Sequence, residues 1–394
     1  MEENDPPVRT SSALKRIIQL TTMLSDIWGM LGVVLILTGV VEASLTLYYQ
    51  ISDNADLRHA LKAAASSGVY GSSRLGEEYL KELVDAVDWP LPMAVYTQTR
   101  EPDYTGKFIN VHDGIRRTWN YEPSNSAKSR LNIYFFGGST LWGWGSRDDF
   151  TIPSLVAKRL SQRGISAQVT NYAVNGDVST QSLIRFIFEL RKKNVPDLVI
   201  FYGGLVDALS ACTEGRPGLP LDRPDLEGKS SRTASVRVGI NLQNFALMRL
   251  LTQNAQLAGC SENLEMRSHG AAEVYLANIR FIKSISASLF VKALFYFEPQ
   301  LTDKTHVTRY EEDQIVKFEV RRPGANDLYS RMRRKLVDKN HQSVEKGVIH
   351  DLRTIFSDAT GPIYMDGGHY GEEGNEIISR KITADILELY APVN

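Results

Sequence analysis

The stretch FFGGSTLWG places Ser139 directly after an apolar run and beside two glycines, Gly137 and Gly138. A serine at a strand-to-helix turn presents its hydroxyl outward, and flanking glycines let the backbone take the conformations such turns need. Far along the chain, YMDGGHYGEEGN sets Asp366 three residues before His369. At that spacing a carboxylate can hold one imidazole nitrogen so that the other faces a hydroxyl, and serine needs such a base to attack an acyl carbon. Each feature alone is ambiguous. A glycine-serine turn can be no more than a turn, and Asp-x-x-His suits a metal or a plain loop equally well, since histidine is the commonest metal ligand.

The elements around these residues decide whether they can meet. Asn132 to Phe136 reads as a strand, and Thr151 caps a helix with Pro153 in its first turn and Leu155, Val156 and Leu160 as its stripe. A strand from Gln168 to Tyr172, a helix carrying Leu183, Ile184, Ile187 and Leu190, and a strand from Leu198 to Tyr202 follow. Ala271 to Leu289 is helical by period, Phe290 to Phe297 and Val348 to Asp351 read as strands, and a last helix runs from Glu372 to Leu389. Alternation of this kind predicts an α/β fold, a central parallel sheet with helices on both faces. Ligands then gather outside the carboxyl ends of the strands, from Gly137, Ala173 and Gly203 onward.

These motifs, in this order and on these elements, resemble the SGNH (GDSL-like) hydrolase superfamily, in particular membrane-anchored bacterial members. The Gly-x-Ser block matches Gly137, Gly138 and Ser139; the oxyanion-hole glycine of the second block matches Gly176 in NYAVNG; the Asp-x-x-His block matches Asp366 and His369, with Gly374 and Asn375 following. GIRRT (Gly114 to Thr118), TIPS (Thr151 to Ser154) and PDLVIFY (Pro196 to Tyr202) add to the likeness, which covers residues 105 to 392. It implies a flavodoxin-like three-layer sandwich, Ser139, His369 and Asp366 as catalytic residues, and the backbone N–H groups of Ser139 and Gly176 as the oxyanion hole.

One block departs from the family. Where Gly-x-Asn-Asp is expected the chain has Gly204, Leu205, Val206 and Asp207, and valine cannot donate to an oxyanion. Losing one such donor typically slows catalysis about 100-fold to 1000-fold. Asn175, beside the second-block loop, and Gly204 are candidate supports, and Asp207 is read as structural. Trp142 and Trp144 suit either a sugar-stacking or acyl cleft or core packing. Arg116 and Arg117 suit an anionic contact or, better, a carboxylate pairing. His112, His269 and His350 have no ligand spacing, so neither a metal nor another cofactor is expected. Cys212 and Cys260, the only cysteines, either pair or lie buried as thiols.

Composition bounds the rest. With 394 residues and a formal net charge of −1, the chain has room for one large domain and an anchor, or for two modest domains, and no field that would gather nucleic acid. No internal repeat is visible. Residues 27–49 (IWGMLGVVLILTGVVEASLTLYY) hold one charged residue, Glu42, and predict a transmembrane helix with Trp28 at one end and Tyr48 and Tyr49 at the other. Val41 and Ala43 also fit a signal-peptidase site, but a polar leader of 26 residues is long for a signal peptide. Arg9, Lys15 and Arg16 before the span, against Arg58 and Lys62 after it, favour slightly a cytoplasmic N-terminus and a periplasmic or extracellular domain.

The expected organisation is a tail at 1–26, the span at 27–49, a helical then irregular segment at 50–128, and the hydrolase-like domain at 129–394 with an insertion near 209–270. The helical part covers 53–88, ending at Trp89 and Pro90. The expected function is an extracytoplasmic serine esterase or O-acyltransferase acting on ester groups, O-acetyl groups of a glycan or glycolipid foremost. The alternative is a glycan-binding or assembly module that kept the cleft and lost the chemistry.

Overall fold

The computed structural model describes residues 12–87, 92, 94–97, 99–119, 130–213, 215–221, 260, 263–337 and 348–391. The chain divides into two compact units, Met1–Arg58 with Thr233–Gln256, and His59–Arg232 with Leu257–Asn394. In the first, the described residues lie on helix α1 (Ser12–Ser66). Its apolar stretch, Gln19–Tyr48, is 30 residues long, its most apolar 18-residue window has a mean hydropathy of 2.1 and none of that window is buried, so it is long and apolar enough to cross a bilayer. The expected span at 27–49 lies on this helix. No glycine or proline follows Gly39 until Gly68, whose φ of +91° suits a helix end, so the helix runs on from the expected span into the segment expected to be helical from residue 53.

The second unit is built on one sheet. Strand β4 (Leu131–Gly137) pairs in parallel with β5 (Ala167–Asn171) on one side and β6 (Leu198–Gly203) on the other; β7 (Lys292–Phe297) and β8 (Ile349–Asp351) continue in parallel beyond β6. The parallel order β5-β4-β6-β7-β8 reverses direction at β4, which opens a crevice at the carboxyl ends of β4 and β6. Side chains alternate between two apolar layers. From β6, Leu198, Ile200 and Tyr202 enter a core with α4 (Ile152–Gln162) and α10 (Glu372–Leu389). Val199 and Phe201 enter the opposite core with α5 (Ser179–Arg191), α6 (Leu205–Thr213), α7 (Leu264–Ser288) and α9 (Ala325–Val337). The three-layer α/β sandwich is therefore present, and Thr151 caps α4 by accepting the Ser154 N–H.

Three differences from the sequence reading have local causes. The segment from Pro90 to Lys128 was expected to be irregular, yet β1 (Tyr104–Thr105), β2 (Asn110–His112) and β3 (Ile115–Arg116) form an antiparallel edge joined to β5 through Arg116 and Asn171. Strands of two or three residues are too short to show a period. The available signal was the Asp113-Gly114 pair, both at positive φ, a two-residue hairpin turn.

Helix α7 starts seven residues before the expected Ala271, running through Gly270, where a Cβ would come within 2.8 Å of Pro217. The glycine there serves close packing rather than a stop. Helices α8 (Arg309–Arg321) and α9 were not anticipated, although Thr308 and Glu311 spell a capping box that the structure forms. Of the helical segment at 53–88, α1 supplies the first part and α2 (Ser73–Ala86) the second, with Tyr79, Leu80 and Leu83 buried in the sheet's core. Trp89, Pro90 and most of the insertion near 209–270 lie outside the described residues.

Candidate active site

Ser139 is the first residue of α3 (Ser139–Trp142), immediately beyond β4. Its turn must be glycine-rich: a Cβ at Gly137 would stand 2.2 Å from the Tyr202 carbonyl, and one at Gly138 would stand 3.1 Å from Val206 Cγ2. The Ser139 Oγ lies 2.7 Å from His369 Nε2, and His369 Nδ1 lies 2.8 Å from Asp366 Oδ2. The other Asp366 oxygen accepts the N–H groups of Gly368 and His369 at 2.9 and 2.8 Å. Residues 230 positions apart thus form one hydrogen-bonded relay.

Burial pushes the Asp366 carboxyl up, but the His369 charge, the imidazole bond and the two N–H groups outweigh it and hold it below its ordinary range. For His369 burial pushes down, and the Asp366 charge and bond, aided by Glu298, raise it above the usual histidine value. The ring is also fixed by Trp144, stacked with its centroid 5.4 Å away.

The loop that carries Asp366 and His369 is clamped from several sides. Glu311, paired with buried Lys304, accepts the N–H groups of Ile363 and Tyr364 at 2.9 and 3.1 Å. Tyr310 donates to the Met365 carbonyl, Arg147 grips Glu372 at the start of α10 through two bonds of 2.6 Å, and Asn375 donates to Ser146 and Phe150.

The remaining sequence candidates sort by position. Gly176, at φ 78°, lies in the loop after β5 that Val174 ties to Gly137, and among the described residues no backbone carbonyl accepts its N–H. Asn175 is 2% exposed; its N–H donates to Glu101 at 2.6 Å, and its side-chain amide has no hydrogen bond among the described residues. Burial raises Glu101 to about 7. Val206 lies on the first turn of α6 against Gly138, and Gly204, at φ +124°, packs its backbone on the Phe297 ring. Asp207 is buried and accepts the Ser179 N–H and hydroxyl at the start of α5, a structural bond, while burial raises it to about 7.

Trp142 is 0% exposed beneath the Arg116 guanidinium, so it belongs to the core, whereas Trp144 borders the site. Arg116 pairs with Asp148 at 2.7 Å and Arg117 is exposed. The β1 to β3 edge brings Asp103, His112 and Asp113 within 4.8 Å of one another, a proximity invisible in their spacing; all three are exposed, and exposed acidic groups commonly meet without an ion.

One residue of the site is not among the sequence candidates. Glu298, just beyond β7, is 2% exposed and accepts the Thr140 hydroxyl at 2.7 Å and the Leu205 N–H at 2.8 Å. A charged residue closing the apolar run FYF at a strand's carboxyl end was the signal available.

Comparison with known families agrees with this geometry. The GDSL-like lipase/acylhydrolase model matches residues 133–382. The chain belongs to that family. Family membership supports hydrolase activity of the esterase and lipase kind.

No curated protein matches the chain at a significant level. Among solved structures, an acetyl xylan esterase, AlAXEase, is 14% identical over 65% of this chain and 100% of its own, with a TM-score of 0.38. The lipase/acylhydrolase from Enterococcus faecalis is 15% identical over 67% and 98%, with a TM-score of 0.37. The lipase Lip_vut3 from a goat rumen metagenome is 13% identical over 64% and 96%, with a TM-score of 0.38. Likenesses this distant say nothing about substrate.

Proposed function

We propose that this GDSL-like protein is a membrane-anchored serine esterase or O-acyltransferase working outside the cytoplasm on O-acyl groups, O-acetyl esters of a glycan or glycolipid foremost. The observation that carries the reading is the relay from Ser139 through His369 to Asp366. Ser139 attacks the ester carbonyl while His369 takes its proton; Asp366 stabilises the imidazolium; His369 then returns the proton to the leaving alcohol. Water, or a sugar hydroxyl in the transferase case, resolves the acyl-enzyme by the same steps in reverse. The Ser139 and Gly176 N–H groups are assigned to the oxyanion, with Asn175 and Gly204 shaping the loops beside them.

The cellular setting rests on two supports. The apolar segment of α1 suits an anchor, with residues 27–49 in the membrane. The Cys212–Cys260 disulfide suits an oxidising compartment. The glycan or glycolipid substrate rests on the resemblance to membrane-anchored bacterial members.

The test is capture of Ser139 by a fluorophosphonate together with turnover of p-nitrophenyl acetate. Labelling needs an activated hydroxyl, so a folded protein that neither labels nor turns over ester is a binding module instead. His369 must be neutral to accept the serine proton, so activity falls as pH drops through its pKa. Because Asp366 raises that pKa, the acid limb of kcat/KM should lie above the ordinary value of about 6.5 and move down in Asp366→Asn. A limb at or below the ordinary value would show that the pair does not hold in solution.

Val206 offers a second check. In Val206→Asn an amide would stand beside Gly138 where the family places its third donor. Turnover should rise about three-fold to ten-fold, short of the 100-fold to 1000-fold worth of an evolved donor, because the surrounding pocket is shaped for valine. The gain should vanish when Ser139→Ala is added. No gain in a folded variant would mean that the position does not face the oxyanion.

A further inference from the structure

We propose that Glu298 is a positioning residue of this active site, its carboxylate bracing the nucleophile turn against the first turn of α6. The proposal rests on the esterase reading above. One oxygen accepts the hydroxyl of Thr140, the residue after the nucleophile, and the other accepts the N–H of Leu205, the residue before Val206. The brace itself is anchored. The Glu298 N–H donates to the Gly203 carbonyl at 3.1 Å, and the Glu298 carbonyl accepts the Tyr329 hydroxyl at 2.5 Å and Arg333 Nη2 at 3.0 Å. A carboxylate held this way on the end of β7 transmits the position of the sheet to both turns.

Such a brace matters more here than where an asparagine completes the oxyanion hole. A side-chain donor adjusts to the substrate by rotating about its own bonds. With valine at position 206 the hole is left to backbone N–H groups, which cannot rotate independently, so their aim depends on where the turns are held. Leu205 also packs toward the His369 loop, since a Cβ at Gly368 would stand 2.7 Å from its Cδ2. Glu298 therefore links the nucleophile turn, the α6 turn and the base loop without reaching the substrate itself.

Turnover of p-nitrophenyl acetate by the full-length protein separates this role from simple fold support. Glu298→Ala should lower kcat by about ten-fold to 100-fold, the scale of a small misplacement of reacting groups, with KM within about two-fold. Glu298→Gln can accept from Leu205 and donate to Thr140, so it should stay within about five-fold of wild type in kcat, a rescue that a charge-dependent role would not give. Thr140→Val, which removes one bond from the far end, should cost about three-fold to ten-fold in kcat. If Glu298→Ala does not unfold cooperatively, the Gln and Val variants decide.

Folded Ala and Val variants with wild-type kcat, or a Gln variant as slow as Ala, would overturn the brace. A readout independent of turnover is amide exchange at Leu205, which should quicken in Glu298→Asp because the shorter arm cannot span both partners; unchanged exchange would also overturn it. Wild-type turnover that survives Ser139→Ala fails the esterase reading instead, and exchange at Leu205 then judges the brace alone.

Discussion

Ser139→Ala is expected to lower ester turnover by about ten-thousand-fold and to abolish fluorophosphonate labelling while the protein still folds. The size follows from the relay. Without the hydroxyl there is no atom to form the acyl-enzyme, and His369 and Asp366 are left aimed at empty space. What survives is water attack assisted by the oxyanion donors and by substrate positioning. The fold should not suffer, because Ser139 is only partly buried and its replacement removes one oxygen at the mouth of a turn shaped by Gly137 and Gly138. Thermal unfolding of the variant checks this. Turnover that persists in Ser139→Ala would sink the nucleophile assignment, and a wild-type protein inert to both ester and probe would favour a binding role.

Reducing the Cys212–Cys260 bridge should lower stability by about 4 kcal/mol in the chain-entropy model, given a sequence separation of 48 residues. Both sulfurs are buried, Cys212 at the end of α6 and Cys260 beside Pro323, whose carbonyl accepts the Cys260 N–H at 3.0 Å. The bridge therefore ties the helix that carries Val206 and Asp207 to the loop before α9. Denaturant midpoints with and without reductant, or for Cys212→Ser with Cys260→Ser, give the size of the effect. Thiol titration of the denatured, non-reduced protein gives its existence. Two free thiols there would refute the bridge and remove one support for an extracytoplasmic domain.

The local chemistry of the chain was enough to place its main elements. The apolar runs before Gly137 and Gly203 are strands because strands buried on both faces need no polar alternation. Thr151 stands just before a helical stripe with Pro153 in its first turn, where a side-chain oxygen can accept an N–H three residues on, so its cap was legible, and Asp366 and His369 are near enough in sequence to meet without help from the fold. The short-range features that were overlooked, the Asp113-Gly114 hairpin and the Thr308 to Glu311 capping box, were also written locally.

Only the tertiary structure decided what depends on distant partners. Trp142 and Trp144 are the same residue type two positions apart, yet one is sealed under Arg116 and the other lies on His369, because Trp142 ends α3 and Gly143, at φ +104°, turns the chain before Trp144. Glu298 reads as a lone charge after a strand until β7 pairs with β6 and sets it between Thr140 and Leu205. The sequence determined the residues able to do acyl chemistry and the strand-helix rhythm around them, since those follow from side-chain type and local period. The order of the strands, the contact between Ser139 and His369 and the brace beneath them follow from packing across the sheet, which no local stretch of chain contains.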